Sequence, residues 1–239
     1  MFVPAFIFKT DKLTDISYAL TFITVATAGY RRSDKTTAQW IAFTLVCAWA
    51  FRLGIFLFIR INKMKTDKRF DGMRDKFFAF LQFWILQGAT VFVVLISLSL
   101  LYMQKATTIT VLSWVGAVIF IVGLLIEATA DTQKYNFSAT NKTKTWIDTG
   151  IWRISRHPNY LGEMMVWIGL YMFVFASLNT HNRILALLSP LYIVTLLLFV
   201  SGIPLLEKSA EKKWGTDPKY KKYKQEVPML IPTVTSIKR

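Results

Sequence analysis

The stretch Arg156-His157-Pro158-Asn159-Tyr160-Leu161-Gly162-Glu163 concentrates more potential chemistry than any other part of this chain. A cationic pair precedes a proline stop; an amide, a phenol and a carboxylate then stand directly before an apolar run from Met164 to Leu178. Arg156 and His157 suit phosphate, and Asn159 and Tyr160 suit hydrogen bonding to an amide or a carbonyl. A carboxylate at the mouth of a hydrophobic segment is costly to desolvate, which makes Glu163 a candidate to hold a cofactor amide or a substrate carbonyl. The plainer reading pairs it with Arg156 or Arg52 at the interface. Together these groups fit a charged cofactor held at a membrane surface with its reactive end pointing inward.

Other residues carry weaker signals. Glu127 and Asp131 are spaced i,i+4, with Gln133 just beyond, so one helical face can hold ribose hydroxyls, an adenine amine or arginines. Spacing alone favours ordinary acids at a helix end. Arg52 lies in the middle of an apolar run and needs a carboxylate, a carbonyl or a phosphate, with Asp15 and Glu163 as ion-pair candidates. Asp67, Arg69, Asp71 and Arg74 form a mixed-charge loop that reads first as a solvated face. In the tail, Glu207 and Glu211 share one side of a helix that Gly215 and Pro218 should stop. Trp84, Trp114 and Trp167 read as packing or lipid contacts.

The elements that position these groups can be read from composition. The chain has 239 residues, 54% of them hydrophobic, and a mean hydropathy of +0.40, which excludes an ordinary soluble domain. Six stretches approach the roughly 20 apolar residues that a bilayer core requires. They run approximately over 13–30, 37–59, 77–103, 108–127, 160–178 and 184–206. The short run Phe2–Phe8 reads as an interfacial segment or the remnant of a further helix. The predicted fold is all-α, a polytopic bundle of about six to seven transmembrane helices forming one integral domain over 1–239. Residues 1–105 would supply the substrate side and 108–239 the cofactor-binding region.

The net charge of +15 is explained by topology. With six spans, the N-terminus, the second and fourth loops and the tail share one side and hold 23 of the 29 Lys and Arg. The positive-inside rule places both termini in the cytosol, and attraction to anionic membrane lipids accounts for the excess without nucleic acid. The lone Cys47 reads as a small core residue, and His157 and His181 lack neighbouring ligands, so no metal is expected. The segment Lys134–Arg156 reads as a surface loop with a helical turn. Two glycosylation patterns, at Asn136 and Asn141, would face the cytosol and stay unmodified.

Read together, Gly150-Ile-Trp-Arg-Ile-Ser-Arg-His-Pro-Asn-Tyr-Leu-Gly-Glu163 and the tail elements Leu206-Glu207, Lys213-Trp214-Gly215, Tyr223, Val227-Pro228 and Ile231-Pro232 resemble the steroid 5-alpha-reductase superfamily, and its DUF1295 branch above all. The first-half pattern Arg52-Leu, Asp67-x-Arg69-Phe-Asp71, Arg74 and Gln87 looks like that branch too. The resemblance implies a membrane reductase that binds NADPH from the cytosolic side and reduces a carbon–carbon double bond in a lipid or sterol-like substrate. Its setting would be the endoplasmic reticulum in a eukaryote or the inner membrane in a bacterium. Asn159 and Glu163 would then lie near the nicotinamide, Glu127 and Asp131 near the adenosine half, and Arg156 and His157 on the phosphate side. Glu207, Trp214 and Tyr223 would line or close the pocket. Glu163 and Tyr160 are the catalytic candidates, with Tyr102 and Tyr18 as further candidate proton donors.

Trp49 stands where steroid 5-alpha-reductases carry a tyrosine, and an indole N–H donates a hydrogen bond but cannot transfer a proton as a phenol does. Two alternatives stay open. Related carboxyl methyltransferases share the Arg-His-Pro core and use S-adenosylmethionine, but carry an aromatic where this chain has Glu163. A non-catalytic lipid-binding scaffold would need neither cofactor.

Overall fold

The structure is a computed structural model that describes residues 1–64, 70–140 and 145–237. Asp67, Arg69 and the Asn141 glycosylation pattern lie outside the described residues. Among these residues the chain is all-helical, without strands. Four helical runs are long and apolar enough to cross a membrane: Thr37–Lys63, Phe77–Val94, Val111–Thr140 and Thr180–Trp214. No more than 33% of any of their apolar windows is buried inside the protein, so most of that surface faces outward. A soluble fold would reverse this, which points to a membrane protein. Helices also occupy the other two expected spans, as α2 (Lys12–Arg32) and α7 (Pro158–Phe175), but neither is among those four.

The chain forms two compact units, each discontinuous in sequence. The first comprises Met1–Gly116 and Leu170–Ser189. It opens with α1 (Phe2–Ile7), so the short N-terminal run is helical, and Phe2 and Phe6 pack edge-on against Phe77. Next come α2, α3 (Thr37–Met64), α4 (Phe77–Val94) and α5 (Ile96–Tyr102). A capping box starts α3: the Thr36 N–H donates to Gln39 Oε1 at 2.9 Å and the Gln39 N–H to Thr36 Oγ1 at 3.4 Å. Phe22 and Trp49 meet edge-to-face at 4.9 Å, and Arg60 pairs with Asp15 at 2.9 Å. Arg74 bridges Asp11 and Asp71. The expected single span over 77–103 is two helices, because the chain breaks helical geometry at Leu95.

The second unit comprises Ala117–Gly169 and Pro190–Arg239. Its α6 (Val111–Thr140, whose first turns belong to the first unit) runs well past the apolar stretch that ends near Glu127. The loop expected from Lys134 therefore begins later. Polarity ends an apolar span, but neither Gly nor Pro occurs between Leu124 and Thr149, so nothing in the sequence stops the helix. Asn136 consequently sits on a helix. A 3₁₀ turn over Gly150–Arg153 comes next, as the helical turn expected there. Pro158 opens α7 in the first helical position that tolerates its missing N–H.

After α8 (Thr180–Ala186) and α9 (Leu188–Thr195), a π-turn over Leu196–Val200 leads into α10 (Ile203–Trp214). The helix is interrupted at Ser201 and Gly202 between the two, so α10 starts afresh at Ile203. As expected, α10 stops at Gly215, and Asp217 caps α11 (Pro218–Glu226) by accepting from the Lys219 N–H at 2.8 Å. The last described residues form one more turn, α12 (Val234–Ile237).

Candidate functional site

The site is assembled in the second unit from the polar end of α6, the 3₁₀ turn, the start of α7, and α10 with α11. Gly150 makes the turn possible. Its φ of +60° is left-handed, and a Cβ there would collide with the Gln133 amide. Gln133 Oε1 instead accepts from the Ile151 N–H at 3.0 Å, and Trp152 Nε1 donates to the Ala130 carbonyl at 3.0 Å. The turn is thereby fastened to α6. Tyr223 of α11 donates its hydroxyl to the Trp152 carbonyl at 2.9 Å, which fastens the tail to the turn. The backbone N–H groups of Arg156 and His157 donate to the carbonyls of Pro228 and Met229 at 3.0 and 3.1 Å.

Glu207 organises the centre. Its Oε2 accepts from Arg156 Nη1 at 2.7 Å and its Oε1 lies 2.8 Å from His157 Nε2. With Nε2 turned to the carboxylate, Nδ1 is the ring nitrogen left over. That Nδ1, Arg156 Nε and the indole nitrogen of Trp146 are buried without a partner. Leaving such atoms unsatisfied costs about 1–3 kcal/mol each, and the three residues that carry them all border one hollow.

The hollow is a cavity of about 290 Å³ bounded by Arg156, His157, Glu207, Trp214 and Tyr223. All five were expected at the site from sequence. Reasoning from sequence missed Lys134, Trp146, Trp152 and Tyr220 in the same wall. Lys134 Nζ sits over the Trp152 ring at 4.8 Å, and Trp146 meets Tyr220 edge-on at 5.1 Å. Position i+3 from Asp131 was the available signal for Lys134, because it puts the amine on the same helical face. Burial, and next the charge of Glu207, push the Tyr220 phenol above its usual range. Lys134, Arg156 and Lys213 give the wall an excess of positive charge over Glu207.

The remaining expected residues do not line this cavity. Glu127 and Asp131 are buried on α6, at 4% and 9% exposure. Asn159, Tyr160 and Glu163 occupy the first two turns of α7. The two helices touch closely where Gly123 faces Gly162, and a Cβ on Gly162 would lie 2.5 Å from the Gly123 carbonyl and 2.7 Å from the Glu127 amide. That crossing, of the small-residue kind used between membrane helices, brings the backbones at Glu127 and Gly162-Glu163 together. Glu163 Oε1 accepts from Trp167 Nε1 at 2.8 Å, and Asn159 Oδ1 is buried without a partner. The His157 and Tyr160 rings stack at 5.9 Å, linking the cavity wall to the α7 group. Among the described residues no cluster of His, Cys, Asp and Glu suits a metal ion.

Comparison with known proteins adds one match. The pattern of a family described as "Protein of unknown function (DUF1295)" matches residues 1–227. No curated protein and no solved structure matches the chain.

Proposed function

The chain belongs to the DUF1295 family, and from that premise we propose that it is a membrane-embedded reductase that uses NADPH to saturate a carbon–carbon double bond in a lipid or sterol-like substrate. The observation that carries this reading is the cavity in which Lys134, Arg156 and Lys213 stand among the aromatic rings of Trp146, Trp152 and Trp214. Excess cation beside stacking surfaces suits a phosphate-bearing nucleotide. The unpartnered Arg156 Nε and Trp146 Nε1 are donors, and His157 Nδ1 completes the polar set. The residues fit the group. At about 290 Å³ the cavity is at the small end of the roughly 300–1,000 Å³ that ligand pockets enclose, so it would take one part of a dinucleotide.

When bound, NADPH would supply the hydride for the alkene. The chain's own residues bind, orient and exclude water. Lys134, Lys213 and Arg156 neutralise phosphate, while Glu207 holds Arg156 and His157 in place. Asn159 and Glu163 orient the reactive end from the start of α7, as the likeness to the steroid 5-alpha-reductase superfamily implies. Tyr160, stacked on His157, is the nearest phenol on that helix to serve as proton donor. Glu127 and Asp131 support the binding site from α6. Substrate would enter from the bilayer past the outward apolar helices, and both termini would face the cytosol, where most of the Lys and Arg lie.

The charge of the cavity disfavours S-adenosylmethionine, whose sulfonium is itself cationic. The test is titration of purified protein with NADPH while exciting tryptophan. Trp146, Trp152 and Trp214 lie in the wall, so bound dihydronicotinamide should quench their emission through energy transfer and gain its own. Competition by S-adenosylmethionine, or no transfer from any of these tryptophans, would sink the proposal.

A further inference from the structure

We propose that the C-terminal segment from Met229 to Ile237 is an interfacial anchor that inserts into the surface of an anionic bilayer. The segment is held to the second unit by polar atoms and turns its apolar ones out. Arg156 and His157 donate their N–H groups to the Pro228 and Met229 carbonyls, and Ser236 Oγ donates to the Ile154 carbonyl at 3.2 Å. Ser236 is 1% exposed, whereas Ile231, Val234 and Ile237 are 72%, 69% and 63% exposed. Val234 and Ile237 stand i,i+3 on the single turn of α12 and share a face opposite Ser236. A tail in water would do the reverse.

The depth of the segment agrees with a headgroup location. On α6 the outward apolar residues Val118, Ile121, Val122 and Leu125 end five residues before Ala130, about 7 Å along the helix. Trp152 binds the Ala130 carbonyl, and the tail is fixed to Ile154 just beyond it. The segment is therefore tied in near the level of Ala130, about one helical turn past the end of that apolar face. Amphipathic segments that bind membranes lie at that level.

Charge selects the kind of surface. Between Lys208 and Glu226 there are seven lysines against Glu211, Asp217 and Glu226. Lys208, Lys212, Lys219, Lys221 and Lys222 are exposed. A basic, exposed flank beside an apolar ridge complements anionic headgroups. The inference needs only the membrane placement and stands whatever the cavity binds.

Cys47 is the single cysteine, so Cys47→Ala gives a background for site-directed labelling. A polarity-sensitive fluorophore is attached at Val234→Cys, at Ile237→Cys and, as a water-facing control in the polar turn between α2 and α3, at Asp34→Cys. Each protein is reconstituted in nanodiscs of phosphatidylcholine with or without phosphatidylserine. The expected result is blue-shifted emission at 234 and 237 that is lost to lipid bearing a shallow nitroxide and resists aqueous iodide, more strongly with phosphatidylserine. Iodide quenching at 234 and 237 equal to that at 34 would overturn the anchor. Shielding from iodide without nitroxide quenching would mean that protein covers the ridge, which also overturns it. Shallow quenching indifferent to phosphatidylserine would overturn the assignment to an anionic surface.

Discussion

Glu207 Oε1 lies 2.8 Å from Nε2 of His157, and this contact leaves Nδ1 as the imidazole nitrogen without a partner. The same carboxylate holds Arg156 at 2.7 Å, so one acid on α10 fixes both basic residues that precede α7. The pair proposed for the phosphate side is thus held by a residue fifty positions away from His157 in sequence.

Glu207→Gln should destabilise the protein by roughly 3 kcal/mol, because it leaves the largely buried Arg156 guanidinium without its counter-charge. Glu211→Gln is the control, since its partner Lys224 is exposed to solvent and such pairs contribute below about 1 kcal/mol. Thermal unfolding of both variants in the same detergent checks the difference. Equal melting temperatures would mean that Glu207 does not organise the site.

Gly162→Ala should be disruptive out of proportion to one methyl group. The new Cβ would lie 2.5 Å from the Gly123 carbonyl and 2.7 Å from the Glu127 amide, both backbone atoms that cannot swing aside. Overpacking of this kind costs about 1–3 kcal/mol. Gly88→Ala on α4, where a Cβ meets nothing within 4 Å, should be neutral or slightly stabilising. Melting curves of the pair provide the test.

Much of this arrangement was legible in sequence. Apolar runs located the helices, and Pro158, Gly215 and Pro218 marked their limits, because proline and glycine act locally. The Arg156–Glu163 stretch stands out by residue type, whereas Glu207 enters only through the family resemblance. What escaped depends on contacts between distant segments. Nothing near Trp146 in sequence says that it will face Tyr220, and nothing near Trp152 says that its indole will bind Ala130. The end of α6 was missed for a different reason: hydropathy reports where lipid stops, whereas helix termination needs a breaker. The break at Leu95 has no such breaker in the sequence, and we have no local account of it.

Lys134→Met should weaken NADPH binding about tenfold, equivalent to 1.4 kcal/mol, while keeping most of the stability. The methionine retains the packing over Trp152 and removes the charge. Binding by the wild type should fall with added salt, and that dependence should be shallower in the variant. An unchanged affinity would remove Lys134 from the site.

The Tyr220 phenol should remain neutral at pH values where exposed tyrosines ionise, because burial and next Glu207 raise it. A raised value in the folded state means that its contribution to stability is fully present below about pH 10, the unfolded value, and is lost as pH rises through the folded one. The ultraviolet difference titration of wild type against Tyr220→Phe reads this directly. A phenol titrating at or below the ordinary value would contradict it.

The most direct test of the central claim is a thermal shift of the purified protein with NADPH, NADH or S-adenosylmethionine, repeated on Lys134→Met. A ligand present at 100 times its dissociation constant adds about 2.7 kcal/mol, enough to move the melting temperature visibly. The cavity predicts stabilisation by NADPH, reduced in the variant, and none by S-adenosylmethionine. Stabilisation by S-adenosylmethionine alone, or by none of the three, would contradict the assignment of this site to a reductase.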